Sequence, residues 1–333
     1  MKAIRVYEYG NPEVLRLEDI ADPIAGAGEV LIEVAGAGVN PIDWKILSGE
    51  KKAFIALPLP FTPGVEVAGT VIAKGPGVTE FEVGDEVFGF INIVGGYASK
   101  ALAPVSTLAR KPRSLSALQA GAVPAAALTA WQALTEHACV QRRQKVLIHA
   151  AAGGVGSMAV QIAKYLGAEV IATASAGNHA YLKKIGADQT IDYTALAFEE
   201  WVSGVDVVLD LVGGETQNRS FAVLRRNGVL ISSVSAPNMS LANDYGVTPM
   251  NFTTRSDGKQ LSLIAELFDK GRLTVEVEAY PLSDVKAALE KSRGGHARGK
   301  IVLDTTDLNA ALTTAAVPET HRGSSYETPA SPG

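Results

Sequence analysis

The rhythm of apolar and polar positions changes near residue 145 and divides the chain. Before that point, short apolar or alternating runs recur at strand length over 3–7, 30–34, 65–72, 86–88 and 97–102, with Pro/Gly turns such as 73–77 between them. This pattern predicts a β-rich unit ending near 109–112. Two helices are predicted next, at about 116–122 and 125–135. From Lys145 the chain alternates between buried strands (146–148, 169–173, 189–193, 205–211, 229–232) and helices (179–185, 216–224). Alternation of this kind implies an α/β unit whose parallel sheet is covered by helices on both faces. A helix over 261–268, a strand over 273–277, a helix over 282–291 and a strand over 300–303 complete the pattern. This last portion is expected to return to the β-rich unit, so that the α/β unit is inserted within it.

The first βαβ passage carries the sharpest signal. Val146-Leu147-Ile148 runs into a small-residue turn, Ala151-Ala152-Gly153-Gly154-Val155-Gly156, and then into a helix with Met158, Val160, Ile162, Ala163 and Leu166. Strand, turn and helix in this order let backbone N–H groups at a helix start approach a pyrophosphate, which the helix dipole favours. Ala152, Gly153, Gly154, Val155 and Gly156 are therefore assigned to dinucleotide binding. In such a unit a carboxylate at the end of the second strand usually holds the ribose 2′-hydroxyl of NAD. Here that strand ends Ala174-Ser175-Ala176-Gly177-Asn178, without Asp or Glu. Nothing repels a 2′-phosphate, Ser175 can donate to it, and His179 or Lys183 could add charge. The expected cofactor is NADP(H). For Lys183 and Lys184 a solvated helix face is the competing reading.

The expected division is a catalytic domain over 1–115 and 256–305, a dinucleotide-binding domain over 116–255, and a flexible or loosely docked tail over 306–333. The 333 residues suffice for two cores. A net charge of −5 without a basic stripe argues against nucleic acid. No apolar run approaches the roughly 20 residues of a membrane span. The chain opens directly into a strand pattern and has one cysteine, Cys139, so a cytoplasmic protein without disulfides is expected.

Further stretches carry a resemblance: AGVNPIDWK at 37–45, PGVEVAG at 63–69, VGDEVFG at 83–89, LTAW at 128–131 and HARGKIV at 296–302. With the glycine turn, they resemble the medium-chain dehydrogenase/reductase superfamily, in its zinc-free, quinone oxidoreductase-like branch. The likeness covers roughly residues 1–303. It implies a β-rich GroES-like catalytic domain beside a doubly wound Rossmann-type domain. Zinc-dependent members look like V-C-x-x-D and G-H-E where this chain has Asn40 and Val65, and the third ligand would fall near Ala125. Catalytic zinc needs three protein ligands, so no metal is expected. Without such a Lewis acid, hydride transfer is easier to a quinone or an α,β-unsaturated carbonyl. The charge then delocalises into an enolate that hydrogen-bond donors stabilise.

The same resemblance implies roles for single residues. Asn40, at the former ligand position, would lie near the nicotinamide or its ribose; a turn-forming asparagine before Pro41 is the other reading. Lys45, where some members carry tyrosine, is either a donor to the enolate oxygen or a surface lysine paired with Asp43 or Glu50. Tyr193 would stack near the adenosine. Thr129, Val212, Val234 and Ser235 would line the cofactor cleft, with Phe252 and Thr253 holding the carboxamide. His149 is read as structural. The expected activity is NADPH-dependent reduction of a quinone or enone. An enoyl-thioester reductase and a low-turnover NADPH-binding structural or regulatory protein are the alternatives. Segments 48–59 and 238–251 are expected to be substrate-selecting loops, and a homodimer is expected, with 229–234 as a candidate edge.

Overall fold

The computed structural model describes residues 1–306, so the expected tail lies outside the described residues apart from Thr306. Two large sheets organise the chain. The first has seven strands. Six run in the order Val277–Pro281, Lys300–Asp304, Glu29–Val39, Glu66–Lys74, Glu86–Phe90 and Leu108–Arg110, while Lys100–Pro104 also pairs with Glu29–Val39. Its pairings are antiparallel except for the first two strands, which run parallel. The second sheet is wholly parallel, in the order Gln189–Asp192, Glu169–Ala174, Lys145–Ile148, Val205–Asp210, Leu224–Ser232 and Thr248–Asn251. A small antiparallel pair, Lys2–Arg5 with Arg16–Asp19, lies beside the first.

The apolar runs of the second sheet are buried on both faces, as a helix-covered parallel sheet requires. Val146, Ile148, Leu209 and Ile231 join one core with the helices Pro124–Trp131, Gly154–Tyr165 and Gly258–Asp269. Leu147, Val208, Leu230 and Phe221 form the core of the opposite face. The first sheet closes around Ile32, Val67, Val87, Tyr97 and Leu303. Helix Ala117–Gly121 lies very close to the first sheet. A Cβ at Gly121 would stand 2.4 Å from the Gly36 carbonyl oxygen, so glycine permits the contact.

Several elements depart from the hydropathy reading. Residues 273–276 form no strand; the pairing begins at Val277. Leu273 and Val275 are buried against the helical core instead, and the Thr274 backbone bonds the Gln161 side chain. Segment 238–251 is not a loop. Asn238 caps helix Met239–Tyr245, Gly246 ends it in the left-handed region (φ 63°), and Thr248–Asn251 pairs beside Leu224–Ser232. Residues 229–232 are therefore interior to the sheet, and Thr248–Asn251 is the edge on that side. The helix expected to reach Thr135 gives way at Gln132 to a π-helical turn, Gln132–His137. No helix among the described residues is long and apolar enough to cross a membrane.

Candidate active site

Strand Lys145–Ile148 sits at the middle of the parallel sheet, with neighbours added on either side. A crevice opens at the carboxyl end of such a switch point. There the chain turns through Ala150 (φ 49°), bonds Gly153 N–H to the Ala150 carbonyl, and enters helix Gly154–Tyr165. The first helical bond runs from Ser157 N–H to the Gly153 carbonyl. The Gly154 N–H is turned toward the Gly299 carbonyl in a parallel bridge, which leaves the N–H groups of Val155 and Gly156 without a partner among the described residues. Space beside Gly153 is open, since a Cβ there would meet only the Ala150 oxygen, at 3.4 Å. Gly156 has no such freedom; its Cβ would stand 2.4 Å from that same oxygen. Free donors, open space and a helix start fit a pyrophosphate. His149, just before the turn, is enclosed. Its ring nitrogens face the Thr173 and Ser220 hydroxyls, and burial pushes its pKa down to about 4.

The expected adenosine side is the end of strand Glu169–Ala174. Ser175 is half-buried, with its Oγ accepting from Asn178. Lys183 is directed away to the Asp188 carbonyl, and His179 to the Ala174 carbonyl. The cation at this strand end is one that local reading misses. Arg298 arrives from beside the first sheet, donates to Asn178 Oδ1 (2.8 Å) and the Gly177 carbonyl (2.9 Å), and lies 5.7 Å over the Tyr181 ring. Tyr193 stands half-exposed one residue past strand Gln189–Asp192.

On the other side of the turn, buried Asp210 shapes two strand ends. It accepts from the Val212 and Gly213 N–H groups through Oδ1, and from Gln217 and the Ser232 hydroxyl through Oδ2. Ser232 Oγ in turn accepts from the Val234 and Ser235 N–H groups. Val212 and Val234 are left 49% and 42% exposed, an apolar pair open to the crevice. Phe252 lies just past the edge strand, buried, with Thr253 exposed beside it. Thr129 reaches this segment through a hydroxyl contact with Thr254 (2.7 Å).

Between the halves lies a buried polar cluster. Lys300 Nζ, on a side chain 5% exposed, bonds Glu66 Oε1 at 2.9 Å and Asn40 Oδ1 at 2.5 Å. Asn40 Nδ2 donates to Glu66 Oε1 (2.7 Å), and Ala125 N–H donates to Glu66 Oε2 (2.6 Å). Asn40 and Ala125, two of the three positions read against a zinc site, thus converge on Glu66. Lys300 also packs on the turn: a Cβ at Gly154 would lie 2.6 Å from its Cδ. Gly299 N–H bonds the Ala152 carbonyl beside it. Asn40 does precede a helix, Pro41–Leu47, but its carboxamide does not cap it. Asp43 reaches back to the Asn40 N–H instead (2.7 Å).

Asp43 also accepts from the Tyr97 hydroxyl (2.7 Å), and its Oδ1 has no partner. Burial, opposed by those two hydrogen bonds, raises its pKa to about 7. Lys45 sits on the same helix, half-buried, with Nζ 5.3 Å from the Trp44 ring centre. It pairs with neither Asp43 nor Glu50; Glu50 faces Lys51. The described residues contain no cluster of three or more His, Cys, Asp or Glu able to hold a metal.

Comparison with known proteins adds to this geometry. Residues 26–113 match the alcohol dehydrogenase GroES-like domain, and residues 185–303 match the zinc-binding dehydrogenase family. Human quinone oxidoreductase is 33% identical over 324 residues, covering 91% of this chain and 97% of its own length. The 2-methylene-furan-3-one reductase of Solanum lycopersicum is 33% identical over 320 residues, covering 91% and 79%. The Escherichia coli quinone oxidoreductase complexed with NADPH is similar in structure, with a TM-score of 0.84 at 29% identity. That match covers 92% of this chain and 100% of that one.

Two stability predictions come from the buried groups. Lys300→Met leaves Glu66 charged and unpaired, and should cost about 3–5 kcal/mol in urea unfolding. Adding Glu66→Gln should restore part of the loss; a double variant no more stable than the single one would contradict this. For Asp43, the folded state holds a proton between the ordinary value of 3.8 and about 7 that the unfolded chain releases. Its contribution to stability therefore falls as pH rises through that window, by at most about 1.4 kcal/mol per unit, and is flat above it. An asparagine oxygen can accept the same two hydrogen bonds. Asp43→Asn should gain on wild type between pH 5 and 8, whereas an unchanged difference would refute the assignment.

Proposed function

The chain belongs to the quinone oxidoreductase-like branch of the medium-chain dehydrogenase/reductase superfamily and is an oxidoreductase. On that premise we propose that it reduces a quinone, or the C=C bond of an α,β-unsaturated carbonyl, with NADPH and without a metal. The observation that carries this reading is the position of Lys300. Its side chain touches the dinucleotide turn at Gly154 and the carboxylate of Glu66 at once. A divalent ion at Glu66 would meet a buried ammonium already bonded there, with Asn40 and a backbone N–H completing the surroundings instead of anionic or imidazole ligands.

The proposed cofactor fits the residues present. Val155 and Gly156 would hold the pyrophosphate, and Tyr193 would lie beside the adenosine. Ser175 and the Arg298 guanidinium would hold a 2′-phosphate, which arginine recognises through paired N–H donors. Val212 and Val234 would flank the nicotinamide, with Thr129, Ser235, Phe252 and Thr253 around it. When bound, NADPH supplies a hydride from its nicotinamide ring.

The protein's own part is to stabilise the charge that develops on the acceptor oxygen. Asn40 retains one Nδ2 hydrogen after bonding Glu66. The Lys300 ammonium on its Oδ1 polarises the amide and strengthens that remaining donor. In this proposal the donor faces the enolate oxygen, and Lys45 supplies a second from helix Pro41–Leu47. A homodimer is also proposed, with Thr248–Asn251 as one candidate sheet edge.

The test is NADPH oxidation with a quinone, a 2-alkenal, an enone and a crotonyl thioester, repeated with NADH. Turnover is expected with a quinone or enone, with kcat/KM at least tenfold higher for NADPH. Arg298→Gln should lower that preference about tenfold, the equivalent of roughly 1.4 kcal/mol. Tight NADPH binding without turnover of any acceptor would overturn the reading. Equal losses for both cofactors in the variant would remove Arg298 from the phosphate site.

A further inference from the structure

The segment 252–255 has no regular secondary structure, yet one face of the neighbouring helix holds it at nearly every residue. Phe252 stacks against the His137 ring, 4.8 Å between centres. Thr254 shares a hydroxyl hydrogen bond with Thr129. The Arg255 guanidinium forms a two-point pair with Glu136, at 2.6 and 2.7 Å. The Arg255 backbone is gripped on both sides by a single side chain, Gln132. Gln132 Nε2 donates to the Arg255 carbonyl (3.0 Å), and Gln132 Oε1 accepts from the Arg255 N–H (3.1 Å). The other Nε2 hydrogen goes to Gln260 Oε1 (3.0 Å), which ties in helix Gly258–Asp269.

Gln132 is fully buried and its hydrogen-bonding capacity is well used. It opens the π-helical turn Gln132–His137, and that same turn carries Glu136 and His137, all three of which face the segment through these contacts. An added residue in a helical turn costs hydrogen-bond geometry and occurs frequently at functional sites. What the grip leaves free is informative. Thr253 is exposed, and its backbone N–H has no partner among the described residues. This N–H stands two residues beyond the carboxyl end of strand Thr248–Asn251, on the side of the sheet opposite Ser175, where the second half of a dinucleotide would lie.

We propose that Gln132 is a positioning residue for the nicotinamide end of the cofactor: by clamping the Arg255 backbone it fixes the unpaired Thr253 N–H toward the ring's amide. Glu136 supports it through the Arg255 side chain. The proposal rests on the NADPH-dependent reading above, and it concerns one half of the cofactor only. That asymmetry makes it testable, because 2′,5′-ADP carries the adenosine end without the nicotinamide.

Binding of NADPH and of 2′,5′-ADP to the full chain should be titrated for wild type, Gln132→Met and Glu136→Gln. Wild type is expected to bind NADPH more tightly than 2′,5′-ADP. Gln132→Met should weaken NADPH at least tenfold, lower kcat/KM by a similar factor, and leave 2′,5′-ADP affinity within twofold. Glu136→Gln, at a partly exposed site where folding is not at stake, should move the same ratio in the same direction by about threefold. Parallel losses for both ligands would show a merely structural role and overturn the proposal. So would an unchanged NADPH affinity, or a wild type that binds the two ligands equally well. Selective loss of NADPH affinity in an enzyme that reduces none of the acceptors would uphold the clamp while the assigned activity fell.

Discussion

The bond between Lys300 and Glu66 joins what the two sheets separately provide. Glu66 begins one strand of the first sheet and Lys300 begins another, yet the Lys300 stem lies against Gly154 at the glycine turn of the second. A buried ammonium and a buried carboxylate are each costly alone, and their geometry must satisfy both. Here Glu66 accepts from Lys300, Asn40 and the Ala125 N–H, so its charge is met on every side. Gly299 adds a backbone bond to Ala152 next door. The crevice floor is thus a fixed polar joint, whose position sets the distance between the turn and the helix that begins after Asn40.

Around that joint the crevice is graded in character. Toward Ser175 it is polar and carries Arg298. Toward Val212 and Val234 it is apolar, with Asp210 ordering the strand ends beneath. Such grading suits a ligand with a charged end and a flat, less polar end. It also explains why so much buried polar structure lies here: Asp210, Gln132, Glu66 and Lys300 hold backbone or side chains in place and are themselves hidden from solvent. Preorganised groups of this kind stabilise developing charge without having to reorient.

The sequence made the local parts of this design legible. The glycine turn could be read because strand, turn and helix are contiguous, and the strand end at Ser175 because it closes the same unit. The hydropathy pattern misplaced 273–277, where Leu273 and Val275 alternate like a strand but dock into a helical core. It passed over Thr248–Asn251, an edge strand with no fully buried residue to mark it. Pairs distant in sequence stayed hidden. Lys300 and Glu66 are 234 residues apart, and Arg298 and Asn178 are 120 apart. A signal did exist in Glu66 and Lys300, charged residues adjoining otherwise apolar runs and seldom buried unless paired. Gln132 left none, since an amide in a helical pattern looks the same whether it faces solvent or a backbone.

With Lys300 bonded to Glu66 at the centre of the crevice, the proposed chemistry is direct reduction of a conjugated acceptor without a metal. The most direct measurement uses NADPH deuterated at the transferred position, an enone, and enzyme freed of metal by a chelator. Deuterium should appear at the β-carbon of the product, at a rate unaffected by the chelator. Activity lost on chelation and restored by zinc, or product without label at that carbon, would contradict it.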